Sequence, residues 1–233
     1  MFMIEPSLRS VRLNPVGDLV KARLWHSQKI VEIALNSLRK NGFTAYYVAS
    51  KEEALKKTLE MIPSDAKIGI GGSVTIREIG LPKALRERGN LLADHWQPGL
   101  SKEEVIEVRR SQLTSDVFLS SSNAVTMDGK LLNADGTGNR VAAMIFGPPK
   151  VIIVTGINKI VKDAEEGLRR IRDVASPMNA NRLGRNSPCG LEGTCVEDQC
   201  EPPERLCNII TILERRPDLT DITIILVGET LGY

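Results

Sequence analysis

The sequence has almost no charge surplus: 31 Lys+Arg stand against 29 Asp+Glu in 233 residues, a formal net charge of +2. Nucleic-acid binding needs a basic excess on one face, so no nucleic-acid partner is expected. Long apolar runs are missing too. The longest, over 151–155 and 222–227, are strand-sized and far short of the ~18 residues of a membrane helix. The opening MFMIEPSLRS carries Glu5 and Pro6 where a signal peptide needs an apolar stretch. The expected setting is therefore the cytoplasm, with no membrane partner. Cysteine is absent before Cys189, so the dispersed disulfide framework of a small secreted domain is not expected.

What is present is ordinary for a globular protein: 42% hydrophobic and 26% charged residues. A chain of this length buries roughly 70% of its unfolded surface, enough for a substantial core. Strand-like and helix-like segments alternate. Amphipathic spacing predicts helices over 17–40, 51–62, 74–88, 102–111, 139–146, 162–174 and 205–215. Short apolar or β-branched runs predict strands over 43–49, 67–71, 117–120, 151–155 and 222–227. Ser50-Lys-Glu-Glu53 and Ser101-Lys-Glu-Glu104 read as capping boxes, and Asp128-Gly129 as the turn of a hairpin. Continuous apolar strands alternating with helices predict an α/β fold with a mostly parallel sheet covered on both faces. The reading is one α/β domain over 1–233, with a Cys-rich insertion at about 178–207.

Two glycine loops stand where strands hand over to helices. In Gly69-Ile-Gly-Gly-Ser-Val-Thr75, the residues Gly71 and Gly72 let backbone N–H groups approach a ligand, and Ser73 and Thr75 are placed to cap or donate. Neither the dinucleotide G-x-G-x-x-G nor a Walker A loop fits this spacing. In Asn133-Ala-Asp-Gly-Thr-Gly-Asn-Arg140, Gly136 and Gly138 flank Thr137, with Asp135 before them and Asn139 and Arg140 opening the next helix. A cation at a helix start is unfavourable unless something negative offsets it. That something is either a bound anion or a protein acid such as Asp135. A shared hollow at the carboxyl edge of the sheet, holding one anionic guest between the loops, is the expectation.

The four cysteines, Cys189, Cys195, Cys200 and Cys207, follow a C-x5-C-x4-C-x6-C spacing. Four soft donors in one window suit an iron–sulfur cluster (4Fe-4S) or a structural zinc, although neither a zinc knuckle nor a ferredoxin has this spacing. Disulfide or unligated thiols stay open. Cys207 is placed in the first turn of the 205–215 helix, where a thiol's pKa is lowered.

The run from Ser121 to Ala143, with Gly71-Gly-Ser-Val-Thr-Ile-Arg-Glu-Ile-Gly80, Val154-Thr-Gly-Ile-Asn-Lys159 and Val227-Gly-Glu-Thr-Leu-Gly-Tyr233, resembles the signature of the LUD (lactate utilisation) domain family over nearly the whole chain. The resemblance implies a NagB/RpiA/CoA transferase-like α/β fold. It also implies an accessory role in oxidation of lactate or another small carboxylate, beside the iron–sulfur proteins of such a system. Ser122-Asn123-Ala124 stands where the related sugar-phosphate isomerases carry an acid. Asn123 is no general base, so it is taken as a ligand-binding residue instead. The cysteine cluster marks a cysteine-bearing branch.

The ligand class expected is a carboxylate, a phosphate or a CoA ester. An alternative is a transferase-like enzyme on a CoA or sugar-phosphate substrate with a structural zinc. Glu229, Glu78 and Lys159 are the candidate catalytic residues; Glu229 and Lys159 follow apolar strands, while Glu78 also reads as a capping partner of Thr75. His95 sits in a loop after a strand, and His26 on a helix surface.

Overall fold

Alternate residues of the central strands are apolar on both sides, and the protein covers both sides. The computed structural model describes residues 15–196 and 199–233; the opening ten residues discussed above lie outside them. One six-stranded sheet, parallel throughout, runs in the order β1 (Thr44–Val48), β10 (Asp221–Val227), β7 (Lys150–Gly156), β4 (Val117–Ser120), β2 (Ile68–Ile70), β3 (Leu92–Asp94). In β7, Val151 and Ile153 pack with Phe118 and with Val31, Ala34 and Leu38 of α1 (Pro15–Lys40). Ile152 and Val154 face the other way, onto Ala54 of α2 (Lys51–Glu60), Ile76 of α3 (Val74–Glu78) and Leu81 and Leu85 of α4 (Leu81–Glu87). Burial on two faces is why these strands are continuous apolar runs rather than alternating ones.

A second, four-stranded sheet was foreshadowed only by its hairpin. Its order is β8 (Ile160–Val161), β5 (Ala124–Thr126), β6 (Leu131–Asp135), β9 (Ile209–Leu213), with β6 antiparallel to both β5 and β9. The helix expected over 205–215 is thus a correction: this stretch contains strand β9, and Cys207 lies in the non-helical chain before it. Ile209-Ile-Thr-Ile212 is a β-branched run whose χ1 stiffness favours a pleated surface, and five residues pair with β6 from Leu131↔Leu213 to Asp135↔Ile209.

Two helix boundaries also differ. The helix expected over 74–88 breaks at Gly80, whose φ of +78° is open to glycine and strained for other residues, giving separate α3 and α4. The helix expected over 162–174 starts at α7 (Ala164–Arg170), with Asp163 as its cap. It then continues through a π-helical turn, Ile171–Ala175, into α8 (Ser176–Arg182). The stretch after it, expected to lack periodic structure, also holds a short α9 (Pro188–Glu192). The capping box Ser101–Glu104 forms as expected on α5 (Lys102–Gln112), and α6 (Asn139–Ile145) follows the second glycine loop. Among the described residues, no helix is long and apolar enough to cross a membrane.

Phe118 is fully buried where β4 meets the α1 face. Replacing Phe118 by Ala is expected to lower unfolding free energy by about 3–5 kcal/mol, read by urea denaturation. A loss under about 1 kcal/mol would contradict the packing described here.

Candidate functional site

Every parallel strand ends at the same edge of the sheet, and the loops leaving that edge enclose a cavity of about 270 Å³. The first glycine loop contributes Gly72, Ser73 and Thr75. The second contributes Asp135, Gly136, Thr137, Asn139 and Arg140, and Asn123 and Lys159 complete the expected set on the wall. The loops touch: a Cβ on Gly71 would come within 3.3 Å of Arg140 Cγ and 3.1 Å of Phe118. Gly71 and Gly138 support the wall without lining it. Glu229 and Glu78 do not line the cavity. Glu229 Oε1 accepts from Lys51 N at 3.1 Å, and Glu78 Oε2 accepts from Gly232 N at 2.6 Å. Ser73, rather than a Thr75–Glu78 box, caps α3 by accepting from Ile76 N.

Arg140 is engaged on all sides. Its Nη1 donates to Ser121 O at 3.1 Å and Asn133 Oδ1 at 2.7 Å, and its Nη2 to Asn123 Oδ1 at 3.0 Å and Ala134 O at 2.7 Å. Its Nε lies 3.6 Å from the Asp135 carboxylate. Asp135 in turn accepts from Thr137 N at 3.0 Å and Gly138 N at 2.8 Å. The protein acid expected as one partner of Arg140 is therefore present, and those two loop amides are directed at it rather than at the cavity.

Other cations face the space with fewer partners. Arg109 Nε is buried without a hydrogen-bond partner among the described residues. Arg182 and Arg185 line the cavity from the α8 side. Arg182 stacks on Trp96 at 4.5 Å and donates to Tyr233 Oη at 2.8 Å, while Arg77 stacks on the same indole at 4.3 Å. Lys159, in the 3-10 turn after β7, is 3% exposed and donates to Thr75 Oγ1 at 3.0 Å and Ser121 Oγ at 3.1 Å. Burial, with Arg170 and Arg140 nearby, brings its amine down to about 7. Burial likewise depresses His95 to about 4, helped by the positive field of Arg109, so its imidazole is neutral at pH 7.

All four cysteines line a second, smaller cavity of about 50 Å³, together with Leu168, Ile171, Val196, Ile210, Arg172 and Arg205. Cys189 and Cys200 are buried, Cys195 and Cys207 partly so. Among the described residues, no three His, Cys, Asp or Glu side chains are gathered as ligands of a single metal ion. Ser176, just after the π-helical turn, lines both cavities. The chain beside Cys207 reaches the second glycine loop: Asn208 Nδ2 donates to Gly136 O at 3.1 Å, and Leu206 lines the larger cavity.

The sequence pattern of the LUD domain matches residues 31–227. The chain belongs to the LUD-domain family. That family is associated with lactate utilisation. Among solved structures, this LUD-domain chain is similar to a DUF162 family protein from Deinococcus radiodurans, at 14% identity and a TM-score of 0.50. The match covers 87% of this chain and 98% of that one, and shows a shared fold. No curated protein matches the chain.

Several lining residues of this LUD domain were not singled out from the sequence. Arg109 is one of a pair at the end of α5, where basic residues suit the helix dipole anyway. Arg110 turns to Glu107 at 2.6 Å while Arg109 turns inward, and nothing in the sequence separates the two. Trp96 and Tyr233 lay inside stretches already marked, beside His95 and in the last motif.

Because His95 is depressed below its ordinary value of 6.5 in the folded protein, the unfolded chain binds more protons below that pH. Stability is expected to fall as pH drops from 6.5 towards 4. His95→Gln is expected to flatten part of that slope in urea unfolding across the same range; an unchanged slope would contradict the neutral, buried imidazole.

Proposed function

We propose that this LUD-domain protein binds a small carboxylate or phosphate in the larger cavity and serves in oxidation of lactate or another small acid. The observation that carries this reading is the charge arrangement of the wall. Arg109, Arg182 and Arg185 face the space, and the sole acid among the described lining residues, Asp135, is already turned to Arg140 and two amides. Arg109 is half-buried, but its Nε–H is buried without a partner among the described residues, which is costly and which an oxyanion would satisfy. Gly72, Ser73, Thr75, Asn123, Gly136, Thr137 and Asn139 supply the polar remainder of the wall. The size, about 270 Å³, suits a short acid or a phosphate ester, smaller than a drug-sized ligand. A CoA ester would place only its acyl end there. The transferase alternative is weakened further because Glu78 and Glu229 are held elsewhere.

We assign the cysteine-lined cavity to an iron–sulfur cluster held by Cys189, Cys195, Cys200 and Cys207. The donor set is soft, the walls are largely apolar, and Arg172 and Arg205 line the same space, where positive charge offsets thiolate. A zinc ion needs its sulfurs drawn in to about 2.3 Å. Among the described residues the thiols are not gathered on one point but line a common space, which favours a guest of several atoms. Such a cluster would supply one-electron transfer, and Ser176, which lines both cavities, would lie between it and the acid. The expected companions are iron–sulfur proteins of a lactate-oxidising system in a reducing cytoplasm.

Titration calorimetry with phosphate, lactate and pyruvate tests the anion site. Binding is expected for wild type, and Arg109→Gln is expected to weaken it roughly 10- to 100-fold, the worth of one charged hydrogen bond. Equal affinity in both proteins, or no binding at millimolar ligand, would overturn the reading. Iron and sulfide analysis after anaerobic purification tests the cluster. A colourless, iron-free protein after reconstitution removes that assignment.

A further inference from the structure

One wall group of the larger cavity is not explained by anion binding. Lys159 is 3% exposed, stands at the end of the central strand β7, and lines the space occupied by the anion in the reading above. A buried ammonium ordinarily has a carboxylate beside it. Here no carboxylate lies within ion-pair distance among the described residues, and the partners of Nζ are two hydroxyls, Thr75 Oγ1 and Ser121 Oγ. The charges packed round it are mostly of its own sign: Arg170 from α7 and Arg140 from α6, against Glu78 of α3. The protein has placed an amine where a proton is costly to hold, beside two arginines and in a cavity whose other arginines already serve for charge. An amine in such surroundings is a nucleophile rather than a counter-ion.

We propose that Lys159 captures the carbonyl carbon of a small oxo acid, such as a 2-oxo carboxylate, as an imine inside this cavity. The inference rests on the anion-site reading and adds the chemistry of the ligand. The acid group of the ligand meets Arg109, Arg182 and Arg185, and its carbonyl carbon meets Nζ. The lone pair of Nζ forms the C–N bond while the C=O π pair moves onto oxygen, which takes up a proton. The nitrogen then loses a proton, water leaves from the carbinolamine, and a C=N bond remains. Amine plus carbonyl gives imine plus water, with no net oxidation. The Thr75 and Ser121 hydroxyls, each about 3 Å from Nζ, are the nearest groups able to relay those protons. Burial and the two arginines bring the amine to about 7, so its free-base form is populated at neutral pH.

The test is reductive trapping of the intact protein with pyruvate or glyoxylate and sodium cyanoborohydride, read by intact mass and peptide mapping. A single adduct mapped to Lys159 is expected. It should saturate with oxo acid, fall when phosphate or lactate competes, and grow with pH through about 7. It should be absent in Lys159→Met. Because that variant also alters a buried site, Ser121→Ala provides a second reading, in which trapping slows while phosphate binding persists. Adducts confined to other lysines, or trapping at Lys159 that neither saturates nor responds to competitors, would overturn the proposal. If phosphate still binds wild type by calorimetry but Lys159 is never trapped, the imine fails and the anion site stands. If neither phosphate nor oxo acid binds, both readings fail together.

Discussion

One buried guanidinium governs the shape of the site. Arg140 directs its N–H groups at Ser121, Asn123, Asn133, Ala134 and Asp135. These acceptors belong to the chain leaving β4 and to β6, so the parallel sheet and the second sheet are fastened to one cation. A charge this deeply placed persists only when every donor is matched. Gly71 fits the same packing, because a Cβ there would crowd Phe118, Ser120 and Arg140 Cγ at 3.1–3.3 Å. The loops meet around this side chain, and the cavity is the space their meeting leaves.

The same cation divides the labour among its neighbours. With Arg140 saturated by protein acceptors, it contributes field, and under the reading proposed above the ligand contacts would fall to Arg109, Arg182 and Arg185. Its field also bears on Lys159, together with that of Arg170. A fixed positive frame thus suits the anion proposed above and keeps one amine short of protons. The cysteine cavity joins this frame through Ser176 and through the chain from Leu206 to Asn208, which packs on Gly136. Any guest that draws the thiols together acts on a wall of the larger cavity.

Much of the architecture was legible because burial on two faces leaves a plain mark: β4, β7 and β10 are unbroken apolar runs flanked by amphipathic helices. The glycine loops were legible for a similar reason, since close approach of backbones excludes a Cβ. Strand β9 was not. Its Ile-Ile-Thr-Ile run sits among charged residues, and its pairing partner β6 is about 75 residues away in sequence, so only tertiary pairing identifies it. The direction of a side chain was equally hidden. Neither the inward turn of Arg109 nor the outward turn of Glu78 and Glu229 is written in local spacing, because each depends on which loop arrives beside it.

The most direct measurement is equilibrium urea unfolding of Arg140→Met set beside wild type. Removing this cation is expected to lower stability by about 3–5 kcal/mol, because four carbonyl or amide oxygens lose their donor and Asp135 loses its ion-pair partner together. A variant as stable as wild type, with weakened anion binding its sole defect, would contradict the account and return Arg140 to the role of ligand cradle.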